Sequence, residues 1–155
     1  MIRLLLSELA GVLDCPMSAV DVAVEAIVTD SRKVHYGALF AALTGNNVDG
    51  HDYAGSAVKL GAAALLVNRP LDLDIPQLVV ADVLLALGKL AAMLRTRIDP
   101  MVVGITGSNG KTTVKEMVAC ILALEADVLA TSGNYNNELG VPLSLFGLEP
   151  RHRYA

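Results

Sequence analysis

The stretch Gly104-Ile105-Thr106-Gly107-Ser108-Asn109-Gly110-Lys111-Thr112-Thr113 constrains this chain more than any other. It lies between an apolar run, Met101 to Thr106, that reads as a strand and a segment, Thr112 to about Leu124, that reads as a helix. A glycine-rich turn from strand to helix lets backbone N–H groups wrap an anion. Glycine tolerates positive φ, so successive amides can turn inward. The helix N-terminus adds the positive end of its dipole. Lys111 supplies a mobile cation for β- and γ-phosphates, and the Thr112 hydroxyl can ligate Mg²⁺. The spacing G-x-x-x-x-G-K-[ST] asks for glycine at Ile105, and Gly104 comes one residue early. A turn that merely connects strand to helix is the alternative. Gly-Lys-Thr-Thr falling on an expected helix start argues against it.

Val128 to Thr131 reads as a further strand, so the segment has the strand–loop–helix–strand order of a parallel α/β sheet. Upstream, the apolar spacing over residues 2–13 predicts a helix. Val22–Val28, Ala38–Leu43, Ala62–Val67 and Gln77–Val80 predict strands. Residues 52–60 predict a helix closed by Gly61, and Asp82 an N-cap for a helix from Val83 to about Arg97. Asp99-Pro100 stops that helix and marks the expected domain boundary, giving domains 1–99 and 100–155.

Charge excludes one class of partner. Residues 1–100 carry 8 basic and 11 acidic side chains and residues 101–155 carry 4 and 5, so neither half is basic enough to displace phosphate counterions from nucleic acid. At 54% apolar the chain is too hydrophobic for disorder, and no apolar run has the length of a membrane span. Cys15 and Cys120 lack ligand-like neighbours and read as free thiols, which points to the cytoplasm. His35 and His152 have no partner at metal or triad spacing and read as surface residues, as do Lys115 and Glu116.

The sequence Gly107-Ser108-Asn109-Gly110-Lys111-Thr112-Thr113 resembles the phosphate loop of the Mur ligase family, in which the leading glycine is displaced in the same way. Thr29-Asp30-Ser31-Arg32, Gly37-Ala38-Leu39-Phe40-Ala41-Ala42-Leu43 and Asp49-Gly50-His51 resemble that family's UDP-substrate domain. Gly107 to Met117 and Gly133-Asn134-Tyr135-Asn136-Asn137-Glu138-Leu139-Gly140-Val141-Pro142-Leu143 resemble one branch in particular. That branch joins D-alanyl-D-alanine to UDP-N-acetylmuramoyl-tripeptide.

The resemblance implies an α/β chain: a small amino-terminal α/β substrate domain, then the start of a P-loop parallel-sheet ATP-binding domain. It implies an ATP- and Mg²⁺-dependent amide ligase of peptidoglycan precursor synthesis. ATP phosphorylates the tripeptide carboxylate, the dipeptide amine attacks the acyl phosphate, and phosphate leaves. With few strands after Pro100, the chain is expected to be the amino-terminal fragment of a longer monomeric enzyme, inactive alone. It is expected neither to bind nucleic acid nor to enter a membrane.

The expected site residues are Lys111 as catalytic, residues 107–113 for ATP and Thr112 for the metal. Ser31, Arg32, His51, Asn136 and Asn137 are expected for the UDP-substrate. From residues alone, Ser31 could equally cap a polar loop, Asp49 and His51 could be turn chemistry, and the asparagines could be loop formers. A neighbouring ligase adding the third peptide residue, a P-loop switch or kinase, and a non-catalytic UDP-ligand module remain the alternative functions.

Overall fold

The computed structural model describes residues 2–16, 20–45, 48–131 and 138–155. It forms two compact units, Arg3–Leu90 and Ala91–Ala155. The division falls inside a long helix, upstream of Asp99-Pro100.

The first unit is built on a four-stranded parallel sheet whose strands lie side by side in chain order: β3 (Ala26–Val28), β4 (Ala38–Ala41), β5 (Ala62–Val67) and β6 (Gln77–Val79). Every residue of β4 is buried, the pattern of a parallel strand covered on both faces. On one face Ala38, Phe40, Leu65 and Val67 pack with Ala54 and Ala57 of helix α2 (Ala54–Lys59). Side chains alternate along a strand, so Leu39, Ala41, Ala64, Leu66 and Leu78 face the other side, and all are fully buried. Each fully buried Leu or Phe contributes roughly 1.5–3 kcal/mol. The Gln77 side chain closes the β5–β6 connection, accepting from Leu71 N–H and donating to the carbonyls of Leu71 and Leu73.

Two expectations are corrected here. The helix expected over residues 2–13 is α1, Leu6–Leu13, preceded by a short extended strand β1, Leu4–Leu5. The single strand expected over Val22–Val28 is two strands in two sheets. β2 (Ala23–Val24) pairs antiparallel with β1, whereas β3 pairs parallel with β4. Between them the Glu25 N–H donates to the Gly37 carbonyl, so the chain changes partner without a turn. Local β propensity reports extended backbone but not which neighbour receives its hydrogen bonds.

Helix α3 (Val83–Ile98) starts as expected, with Asp82 Oδ1 accepting from Leu85 N–H at 2.9 Å. In the second unit, α4 spans Lys111–Leu122 and α5 spans Gly140–Leu145. The strands expected at Met101–Thr106 and Val128–Thr131 are reduced to single parallel bridges, Met101 to Tyr154 and Val128 to Tyr154. Residues 153–155 lie between the two: Val103 N–H donates to Ala155 O and Leu129 N–H to Tyr154 O. His152, expected on the surface, is buried. Its Nδ1 accepts the Glu149 N–H at 2.9 Å, a local turn closure invisible to a search for metal or triad partners. Among the described residues no helix is long and apolar enough to cross a membrane.

Gly61 terminates α2 with φ +97°, and a Cβ there would lie 3.2 Å from Tyr36 Cα. Gly88, inside α3, has open space around the equivalent position. Gly61→Ala should therefore lower the unfolding free energy by about 1–2 kcal/mol, and Gly88→Ala should raise it by about 0.5–1 kcal/mol. Urea denaturation of the two variants checks both signs.

Candidate functional site

Two separate clusters of candidate residues are present, one in each unit. In the second unit residues 104–110 lead into α4. Gly110 is the N-cap, in the left-handed region at φ +77° and ψ −2°, and no side chain caps the helix. The first N–H groups of an α-helix have no intrahelical acceptor. At α4 these belong to residues at and after Gly110, and most of the loop is solvent-exposed. The Lys111 ammonium reaches back to donate to the Gly107 carbonyl, so the cation is held over the loop. Exposed amides, a helix N-terminus and a cation at one place make an anion site with no negative side chain competing in the loop.

Thr112 presents a hard oxygen beside Lys111 in the first turn of α4. Among the described residues no group of three or more His, Cys, Asp or Glu could hold a metal. A hard hydroxyl oxygen of this kind suits a hard cation such as Mg²⁺.

Lys115, expected on the surface, is only 19% exposed at its side chain, while Glu116 is 61% exposed. Its ammonium donates to the Thr131 carbonyl and pairs with Glu116 Oε1 at 2.7 Å. The signal that could have found it is its spacing: one turn after Lys111, on the same face of α4.

In the first unit a cavity of about 480 Å³ opens at the carboxyl ends of β3 and β4. This is the end of a parallel sheet where α/β proteins take ligands. Thr29, Asp30, Ser31 and Arg32 line one side. Phe40, Leu43, Gly45, Val48, Gly50 and Tyr53 line the rest. Asp30 caps the 3₁₀ turn Ser31–Lys33, accepting from the Arg32 N–H at 3.0 Å and from its Nε and NH2 at 2.9 and 2.8 Å. These bonds, first among them the Arg32 side chain, lower the Asp30 carboxyl from 3.8 to about 2. The ionised pair thus favours the folded turn above the ordinary carboxylate range, and that preference is lost as pH falls toward 2. Arg32 is 87% exposed and lies at the rim.

His51 stands apart from its expected place. It is buried, it does not line the cavity, and both ring nitrogens are used internally. Nδ1 lies 2.6 Å from Asp49 Oδ1, and Nε2 accepts the Asn68 N–H at 3.2 Å. Asn136 and Asn137 lie outside the described residues. Phe40, Tyr53 and Val48 were not expected as cavity residues. They are ordinary apolar positions in sequence, and only the turn signal at Asp49-Gly50 hinted at the wall they form.

Residues 23–97 match the family model described as Mur ligase family, catalytic domain, and residues 105–155 match the Mur ligase middle domain. The UDP-N-acetylmuramoyl-tripeptide–D-alanyl-D-alanine ligase of Escherichia coli is 48% identical over 155 residues, covering all of this chain and 34% of that protein. The structure of the UDP-N-acetylmuramoylalanyl-D-glutamyl-2,6-diaminopimelate–D-alanyl-D-alanyl ligase from Acinetobacter baumannii superposes with a TM-score of 0.88 at 40% identity. It covers 96% of this chain and 34% of that one. The MurF ligase from Thermotoga maritima, in complex with ADP, gives 0.76 at 34% identity over 84% of this chain and 30% of that one. The chain spans about a third of the length of the curated relatives it matches. Two models of one family, matched in sequence order along the chain, leave one conclusion: this chain belongs to the Mur ligase family.

Proposed function

We propose that the chain is the UDP-substrate domain and phosphate loop of an ATP-dependent amide ligase. It joins D-alanyl-D-alanine to UDP-N-acetylmuramoyl-tripeptide in peptidoglycan precursor synthesis. The observation that carries this reading is the phosphate loop: Lys111 folded over Gly107 at the start of α4, in a chain 48% identical throughout to a ligase of that specificity. In this reading residues 1–99 receive the UDP-substrate and residues 100–155 open the ATP-binding domain. Cys15 and Cys120 are free thiols, which supports a cytoplasmic setting.

The chemistry asks three things of these residues. A carboxylate is a poor electrophile, so its oxygen must first take a phosphoryl group, after which the amine displaces phosphate from the carbonyl carbon. Lys111 and the amides from Gly107 to Thr113 neutralise charge building on the transferring phosphoryl oxygens. Mg²⁺, held through Thr112, would supply Lewis-acid polarisation of those oxygens. Ser31 and Arg32, on the rim and side of the cavity, orient the UDP moiety. Asn136 and Asn137 remain substrate-side candidates on sequence grounds.

Phosphate release by the protein that carries this chain tests the reading, with ATP, Mg²⁺, the UDP-tripeptide and D-alanyl-D-alanine omitted one at a time. The expected result is release that needs all four. Release that proceeds without tripeptide or dipeptide would refute the ligase. Lys111→Ala should lower kcat by about a thousandfold with an unchanged melting temperature. Near-normal turnover would remove Lys111 from its role. Ser31→Ala should raise KM for the UDP-substrate by about tenfold and leave KM for ATP unchanged. Equal rises in both would make Ser31 a structural residue.

A further inference from the structure

His51 is a buried titratable side chain, at 1% exposure, and no step above uses it. It is the centre of a network that crosses three segments. Asp49 Oδ1 accepts from the His51 N–H at 3.0 Å, from His51 Nδ1 at 2.6 Å and from Thr44 Oγ1 at 3.5 Å. Asp49 Oδ2 accepts from Arg69 NH2 at 2.8 Å. His51 Nε2 accepts the Asn68 N–H at 3.2 Å, just past the carboxyl end of β5. These partners dictate one tautomer: the proton sits on Nδ1, and Nε2 is the acceptor.

The segment this network holds is a wall of the cavity. Thr44 and Asp49 form an antiparallel bridge, and Gly45 N–H donates to Val48 O. Gly50 N–H donates to Leu43 O, with Gly50 so close that a Cβ would lie 2.7 Å from Leu43 backbone atoms. Leu43, Gly45, Val48 and Gly50 all line the cavity. The loop makes its own internal hydrogen bonds, and Asp49 and His51 tie it to Asn68 and Arg69, just past the end of β5.

We propose that Asp49, His51 and Arg69 form a positioning unit. It fixes the cavity wall formed by Leu43, Gly45, Val48 and Gly50 against the end of β5, so that His51 sets affinity for the uridine nucleotide without touching it. This rests on the cavity being the UDP-substrate site. A buried imidazole bonded at both nitrogens is costly to disturb, because removing it leaves the Asn68 N–H without its acceptor and takes from Asp49 the shortest of its hydrogen bonds. Arg69 is half-exposed and completes the carboxylate's shell from the solvent side.

The test uses the full chain and UDP as the probe. Calorimetry gives the Kd, and amide hydrogen exchange reports the wall directly at Gly45, Gly50 and Asn68. His51→Ala should weaken UDP binding by about tenfold or more and speed exchange at all three amides. Arg69→Met, on a half-exposed side chain that leaves the core intact, should weaken binding by about threefold and speed exchange at Gly45 and Gly50. Leu9→Ala, a core change in α1, lowers the melting temperature and should leave the Kd unchanged. Exchange at Gly45 and Gly50 that does not respond to either network variant would overturn the positioning unit. So would a Kd that follows melting temperature equally in all three variants. If the unaltered chain fails to bind UDP while exchange responds as expected, the assignment of the cavity to the UDP-substrate fails and the positioning unit stands.

Discussion

Four consecutive residues of β4, Ala38 to Ala41, are buried without a polar side chain among them, so the strand's backbone groups must be satisfied by two neighbours. β3 and β5 supply them, both in parallel. Parallel pairing puts all the carboxyl ends on one side. That alone brings Thr29–Arg32, after β3, beside Leu43–Tyr53, after β4, although sequence separates them. The cavity is therefore a consequence of how a fully apolar strand is hydrogen-bonded. One wall, Thr29 to Arg32, is polar and the rest is mostly apolar, and the backbone leaving the buried sheet on each side turns through a capping residue, here Asp30 and Asp49.

Those two aspartates share a logic. Each accepts from the backbone two residues on and from an arginine, and each is held below its ordinary titration range, Asp30 by Arg32 and Asp49 first by Arg69. Both carboxylates are stabilised in the ionised form, so the turns they cap are favoured at neutral pH and loosen only in strong acid. The arginines stay partly in water, which keeps Arg32 at the rim available to an anion while its Asp30 contact sets its direction.

The phosphate loop follows a different rule. Its charge is positive by backbone geometry, through Gly110 in the left-handed region and the amides that open α4. Lys111 adds a formal cation where those dipoles converge. Lys115, one turn on, faces the same way but spends its ammonium on the Thr131 carbonyl, linking α4 to the end of the neighbouring extended segment. Two lysines four residues apart thus have different fates, one held over an exposed loop and one spent on the Thr131 carbonyl.

Much of this was legible in the residues. β5, the Asp82 cap of α3 and the start of α4 at Lys111-Thr112 are encoded within a few neighbouring positions, by period, cap and turn chemistry. The glycine-rich turn that opens α4 was legible for the same reason. Hidden from sequence were the change of sheet at Glu25, the insertion of residues 153–155 between Met101 and Val128, the burial of His152 and the partial burial of Lys115. So was the retreat of His51 from the cavity it was expected to line. By itself, then, the sequence determined which segments extend, which coil and where a glycine-rich turn opens a helix, because those depend on contacts within a turn or two of chain. Which strand pairs with which, and whether a polar side chain faces a ligand or a neighbouring backbone, was decided only by tertiary structure. Hydrogen-bond partners brought together across dozens of residues leave no local mark on the sequence.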